Sequence, residues 1–217
     1  MENKLRIFLL ESPSPLDLLQ NRTEVRALEE ICLILGFEVK RFFMISKQEL
    51  INHIKYISSI FEFLDEDDDT PLCIHVSTHG NKNGMAFGSD FIEWDIFLET
   101  IGPILKESYK YSKDIIFVFS ACGAGNQKIT SEFKKLSNLL DDITPPRYLF
   151  VTAEDEVAWD DALIAWSNFY HQISKISMSK RSAVQNILNK IKSNCEITLK
   201  YFRWDKRKMK YLSYSGK

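Results

Sequence analysis

Hydrophobic positions along this chain follow two periods in alternation. Short, nearly continuous apolar runs, typical of buried strands, begin near residues 4, 37, 71, 115, 147, 197 and 209. Between most of them, apolar residues recur every three or four positions, as on one face of a helix, for example Val25, Leu28, Ile31, Cys32 and Leu35. The alternation predicts an α/β fold whose central sheet is mostly parallel and carries helices on both faces.

Glycine and proline mark where these elements end. The two prolines of residues 12–15 (SPSP) predict an extended loop after the first strand. A helix is predicted over 91–105, and Gly102-Pro103 is a site where this helix could break. Further helices are predicted over 23–35, 48–63, 130–140 and 182–192, with another around Trp166. No repeat or linker divides the chain, so we expect a single domain over residues 1–217.

Composition narrows the class of protein. The chain has 217 residues, 45% of them hydrophobic, and a net charge of −2, as in ordinary soluble globular domains, which argues against a nucleic-acid partner. The apolar run 7–10 is much shorter than a signal sequence or membrane span, so we expect a cytoplasmic protein without membrane contact. The acidic run 65–69 is interpreted as a solvated loop.

The four cysteines, Cys32, Cys73, Cys122 and Cys195, are scattered. Their spacing supports neither a disulfide framework nor a zinc site, so reduced thiols are expected and no metal or other cofactor is predicted. Cys32 lies on the apolar face of a helix and Cys73 within a strand, where buried thiols are common and inert. Only Cys122 lies in a reactive setting.

His79 and Cys122 each follow directly on an apolar strand, in PLCIHVSTHG and IIFVFSACGAG. One crossover separates the two strands, which places them side by side with their carboxyl ends at one edge of the sheet, where sites are usually built. A near-neutral imidazole is suited to deprotonating a thiol. Gly80 and Gly123 would let a substrate carbonyl approach the main chain, so the pattern predicts an acyl-transfer site.

Other chemistries fit the residues less well. A cysteine phosphatase needs an arginine six positions after the nucleophile, and Lys128 stands there. Gly123-Ala124-Gly125 follows a strand, but the third glycine of a dinucleotide fingerprint is missing. A structural role for an isolated cysteine or histidine, and a doubly wound domain that binds a nucleotide at the Cys122 turn, remain alternatives.

The two blocks CIHVSTHG and IIFVFSACGAG resemble those of the caspase-like cysteine peptidases, which include caspases, metacaspases and bacterial relatives. Similarity extends to RTEVRALEEICLILGFEV and YLFVTAEDEVAWDDALIAWSNFY, so that it covers about residues 4–175. The resemblance implies a caspase-like three-layer α/β/α sandwich with a mostly parallel sheet of about six strands. The order Ser120-Ala121-Cys122-Gly123-Ala124 departs from the Gln-Ala-Cys-x-Gly of eukaryotic caspases and is closer to the spacing of metacaspases and bacterial members.

Carried over by this resemblance, His79 is the general acid or base and Cys122 the nucleophile. The backbone N–H groups of Gly80 and Cys122 form the oxyanion site, and the partner is a protein or peptide substrate. Caspases hold a substrate aspartate with arginine, whereas metacaspases hold a basic residue with carboxylates. This chain offers both kinds of residue, namely Arg22 and the acidic Asp155, Asp160 and Asp161. Because the acidic set is denser, we expect a basic or small residue before the scissile bond. A solvated helix N-terminus is an equal explanation for the carboxylates.

Many bacterial relatives resemble components of defence or regulated self-destruction systems. The resemblance therefore implies activation by a partner protein, by a small signalling molecule, or by self-cleavage at 65–69 or 127–131. It also implies a homodimer formed through the last strand. The alternative is a catalytically silent scaffold or ligand-binding regulator with the same fold.

Overall fold

The computed structural model describes residues 4–65, 67–111, 114–125 and 128–216, and within these ranges seven strands form one central sheet. A smaller antiparallel sheet of three strands follows β3. The central strands are β1 (Arg6–Ser12), β2 (Glu38–Phe43), β3 (Leu72–Thr78), β7 (Ile115–Ser120), β8 (Tyr148–Thr152), β9 (Leu199–Asp205) and β10 (Lys210–Ser215). The small sheet comprises β4 (Gly80–Asn81), β5 (Gly84–Phe87) and β6 (Asp90–Glu93).

The central sheet has the order β10-β9-β8-β7-β3-β1-β2. Strands β1, β2, β3, β7 and β8 run parallel, and β9 and β10 add an antiparallel hairpin at one side. Strands β3 and β7 are direct neighbours at the centre, as the single crossover predicted. Both are buried along their full length, which explains why most of their residues are apolar.

Helices cover both faces of the sheet. One face packs against α3 (Lys47–Ser58), α4 (Trp94–Lys110) and α5 (Lys128–Leu139), and the other against α2 (Val25–Ile34), α6 (Trp159–Ile173) and α7 (Arg181–Cys195). Each layer buries one apolar stripe per helix, as the three-to-four-residue period predicted. The predicted α/β class with helices on both faces is confirmed, with seven strands in the central sheet where about six were expected.

Three elements differ from the sequence prediction. The helix predicted over 91–105 begins only at Trp94, because the preceding residues form β6. The segment after β1 was expected to be extended, but it contains the short helix α1 (Pro15–Leu19), which Ser14 caps. Proline is favourable at the first position of a helix because its missing N–H has no partner to lose there. Helix α4 continues through Pro103, since buried residues on both sides of the proline, such as Ile101 and Ile104, anchor the helix to the core.

Some predictions concern residues outside the described ranges. The proposed self-cleavage loops 65–69 and 127–131 include residues 66 and 127, which lie outside them. The remaining positions of the first loop follow a 3-10 turn (Ser59–Glu62), where Asp68 pairs with Arg6 of β1.

Candidate active site

The pairing of β3 with β7 brings His79 and Cys122 to the same edge of the sheet. Ser77 of β3 lies opposite Ser120 of β7, and each chain continues for two residues to reach His79 or Cys122. Both residues line one cavity of about 40 Å³. The two backbones touch beyond the strands, since a Cβ atom at Gly80 would lie 3.1 Å from the carbonyl oxygen of Cys122.

The turn after Cys122 requires glycine. Gly123 has φ of 68°, in the left-handed region that other residues rarely adopt, and a Cβ atom there would lie 2.8 Å from the backbone of Asn81. Its N–H donates to the carbonyl oxygen of Glu154, 3.3 Å away. The turn is therefore held against the segments that follow β3 and β8, which fixes the position of the Cys122 thiol.

His79 is oriented by groups from two other segments. The Nε2 atom of His79 lies 2.6 Å from Oδ2 of Asp17 in α1, and the ring of Trp159 meets the imidazole edge to face at 5.6 Å between centroids. Burial would raise the pKa of the Asp17 carboxyl, but hydrogen bonds from Ser14 and His79 outweigh it and hold this pKa below its usual value. Asp17 is thus a carboxylate at neutral pH, in contact with the candidate base.

A buried polar network lies beneath the Cys122 turn, with Glu24 at its centre. Glu24 lines the same small cavity as Cys122 and is almost completely buried. Its carboxylate lies 2.9 Å from Nε2 of His75 and accepts hydrogen bonds from the hydroxyls of Ser77 at 3.2 Å and Ser120 at 2.7 Å. Nδ1 of His75 is bonded in turn to the hydroxyl of Tyr170, and the His75 side chain is fully buried.

A second buried carboxyl group, that of Glu11, holds the start of α2. One oxygen of Glu11 accepts the N–H groups of Glu24 and Val25, at 2.6 and 3.3 Å. The other oxygen is buried and has no hydrogen-bond partner among the residues that the structure describes. Burial raises the pKa of Glu11 to about 7, although the two N–H groups oppose the change. Glu11 thereby connects the end of β1 to the helix that supplies Glu24.

The residues predicted to line the substrate pocket divide into two groups. Arg22 and Asp160 line a second cavity of about 520 Å³, which also reaches Asp17 and His79. Val157 and Trp159 border this cavity and the small one beside Cys122. Within the part of the chain that the structure describes, Asp155 and Asp161 line neither cavity. Asp160 and Asp161 lie in the first turn of α6, where carboxylates also interact favourably with the helix dipole.

Two residues of this site were missed by sequence reasoning. Asp17 lies in the segment expected to be an extended loop, although Ser14 and Asp17 have the spacing of a capping box, which signals a helix start. Glu24 lies at the start of a predicted helix, where a solvated carboxylate is the usual expectation. No local pattern marks Glu24 as buried.

In the described ranges, no group of three or more His, Cys, Asp or Glu side chains is arranged to hold a metal ion. Every helix within those ranges is too short or too polar to span a bilayer.

Comparison with known protein families identifies the chain. The family model of the caspase domain matches residues 14–213, which includes both strands of the candidate site and most of the C-terminal hairpin. No curated protein matches the sequence. The match covers nearly the whole chain and confirms the resemblance that the two blocks around His79 and Cys122 indicated. The chain belongs to the caspase-domain family of cysteine peptidases.

Proposed function

We propose that this protein is a cysteine endopeptidase in which His79 and Cys122 form the catalytic dyad. The observation that carries the proposal is that the two side chains, from the ends of adjacent parallel strands, line one cavity. Cys122 is also part exposed, whereas Cys32 and Cys73 are buried. A nucleophile must reach its substrate, which favours Cys122 over both.

The proposed reaction begins when His79 removes the proton of the Cys122 thiol. The thiolate attacks the scissile carbonyl, and the negative charge on oxygen is stabilised by the backbone N–H groups of Gly80 and Cys122. His79 then gives the proton to the leaving amine, which leaves a thioester on Cys122. Water, deprotonated by the same imidazole, hydrolyses the thioester and restores the thiol.

For the residue before the scissile bond, we propose a small or basic side chain. The cavity beside Cys122 has room for a few water molecules or a small side chain, and its polar lining includes the Glu24 carboxylate. A long basic side chain would enter only if Val157 or Trp159 moved. Arg22 and Asp160, which line the larger cavity, are proposed to contact substrate residues farther from the bond.

We further propose that the enzyme is regulated, in keeping with a role in bacterial defence. The small volume beside Cys122 supports this proposal, because an extended peptide needs more space than the cavity offers. Activation by a partner protein or a small signalling molecule would open the boundary formed by Val157 and Trp159. A homodimer through β10, the strand at one side of the sheet, belongs to the same proposal.

The experiment that tests this function is labelling of the folded protein with electrophilic peptide probes. The probes end in alanine, lysine, arginine or aspartate, and mass spectrometry identifies the modified residue. We expect modification of Cys122 that is lost in Cys122→Ala and His79→Ala. Cys195→Ala is the matched control, because Cys195 is also part exposed but lies at the end of α7. This control should label like the wild type.

Equal labelling of Cys122 with and without His79 would contradict the dyad. If the wild type is not labelled, the assay is repeated with candidate nucleotides and with lysate. Labelling that appears under those conditions indicates a protease that requires an activator. Its continued absence supports the alternative of a catalytically silent scaffold.

A further inference from the structure

Asp17 is the side chain in closest polar contact with His79. Its Oδ2 atom lies 2.6 Å from Nε2 of His79, a short distance for a hydrogen bond between nitrogen and oxygen. The Asp17 side chain is 6% exposed, whereas that of His79 is 49% exposed. A carboxylate held inside the protein therefore meets an imidazole that remains open to solvent on its other side.

The Asp17 carboxylate is fixed in place before it meets His79. The backbone N–H and the hydroxyl of Ser14 both donate to the same Oδ2 atom, at 3.0 and 2.5 Å. The N–H of Asp17 donates back to the Ser14 hydroxyl at 3.2 Å, which completes a capping box at the start of α1. Pro15, at the first helical position, restricts the backbone between the two residues. The carboxylate consequently has little freedom to turn away from the imidazole.

The contact also determines which nitrogen of His79 can serve Cys122. A carboxylate only accepts hydrogen bonds, so the Nε2 atom beside it carries the proton. In the neutral imidazole the lone pair is then on Nδ1. Trp159 packs perpendicular to the ring, with 89° between the planes, and limits rotation that would exchange the two nitrogens.

We propose that Asp17 is a positioning residue that holds the His79 proton on Nε2 and leaves Nδ1 as the atom that exchanges a proton with Cys122. This inference rests on the proposed peptidase function. The Sγ–H proton passes to Nδ1, and the Asp17 carboxylate stabilises the resulting imidazolium. As the C–N bond of the substrate breaks, the same proton passes from Nδ1 to the leaving amine. The site thus works as a triad of Asp17, His79 and Cys122.

The test compares Asp17→Ala and Asp17→Asn with the wild type by two measurements. The first is the rate at which iodoacetamide alkylates Cys122 at pH 7, read from its peptide by mass spectrometry. We expect a decrease of about 10-fold to 100-fold in Asp17→Ala, the effect of one lost charge-assisted hydrogen bond. Asp17→Asn, which keeps an acceptor oxygen but loses the charge, should fall between Asp17→Ala and the wild type. Added formate should restore part of the rate in Asp17→Ala and leave the wild type unchanged.

The second measurement is the NMR signal of the Nε2 proton of His79. In the wild type we expect a strongly downfield signal, as for an imidazole N–H bonded to a carboxylate, and in Asp17→Ala its loss. Leu19→Gly is the matched control, because Leu19 is an exposed residue of α1 and glycine weakens the helix without altering Ser14 or Asp17. This variant should keep the downfield signal, and its Cys122 should be alkylated within about threefold of the wild-type rate, so that a larger loss in Asp17→Ala is not an effect of a weaker α1.

The two proposals fail in different ways. If His79→Ala is alkylated at the wild-type rate, the proposed dyad is contradicted. The NMR signal of His79 still shows in that case whether Asp17 holds the Nε2 proton. A rate that depends on His79 but is unchanged in Asp17→Ala overturns the role of Asp17 and leaves the dyad intact. Should Asp17→Ala fail to fold, the rate and NMR signal of Asp17→Asn decide by the same criteria.

Discussion

Replacement of Glu24 by alanine is the sharpest test of the buried network beneath Cys122. The Glu24 carboxylate accepts bonds from Nε2 of His75 and from the hydroxyls of Ser77 and Ser120, and all of these groups are buried. Removal of one partner from a buried ionisable pair costs about 3–5 kcal/mol, because the remaining polar groups are left without their buried partner. We therefore expect Glu24→Ala to lower the free energy of unfolding by about 3–5 kcal/mol.

Urea unfolding measures this loss. With a slope of about 2 kcal/mol per molar urea, the midpoint should fall by about 1.5–2.5 M. Glu30→Ala is the matched control, since Glu30 lies on the exposed side of the same helix α2, and it should change stability by no more than about 0.5 kcal/mol. A Glu24→Ala protein within about 1 kcal/mol of the control would refute the network as a source of stability.

Three further predictions concern the backbone, the pH dependence of stability and the thiols. Gly123→Ala should lower the free energy of unfolding by about 1–2 kcal/mol or more, because φ of Gly123 is 68° and the new Cβ atom would meet the Asn81 backbone. Thermal unfolding measures this loss, and an unchanged melting temperature contradicts it. Burial raises the pKa of Glu11 to about 7 in the folded protein, against an ordinary value of 4.5, so the folded state holds this proton more tightly than the unfolded state. The wild type should therefore lose stability relative to Glu11→Gln as the pH rises from 5 to 8. Urea unfolding at each pH measures this difference. A constant difference would exclude titration of this group. Iodoacetamide should modify only Cys122 and Cys195, the two part-exposed thiols of the native protein. Cys32 and Cys73 are buried, and burial raises the pKa of Cys73 to about 12. Mass spectrometry that finds Cys32 or Cys73 labelled contradicts this prediction.

The arrangement of the two candidate catalytic residues was predictable from the sequence for a simple reason. The apolar runs that end at His79 and Cys122 are local signals, and a single crossover between parallel strands makes those strands neighbours. The layers follow likewise from hydrophobic periodicity in helices such as α2 and α6. These inferences need no knowledge of how distant segments pack.

The supporting residues depend on such packing, and the sequence therefore did not reveal them. Asp17 meets His79 across 62 positions, and Glu24 meets Ser120 across 96. The burial of Glu24 arises only because α2 begins beneath the ends of β3 and β7. Pro103 shows the same limit, since local preference predicts a break and tertiary packing keeps the helix intact.

The alignment of Ser77 with Ser120 has a consequence for how this chain tolerates insertions. His79 and Cys122 each lie two residues beyond that pair, so the hydrogen-bond register between β3 and β7 sets the position of His79 relative to Cys122. One residue added within either strand would displace the candidate catalytic side chain that follows it by about 3.3 Å and reverse the face from which that side chain points. Residues added between the end of α4 and the start of β7 would leave the ladder unchanged. New segments for sensing or docking are therefore best tolerated there, away from His79 and from the small sheet that packs beside the Cys122 turn.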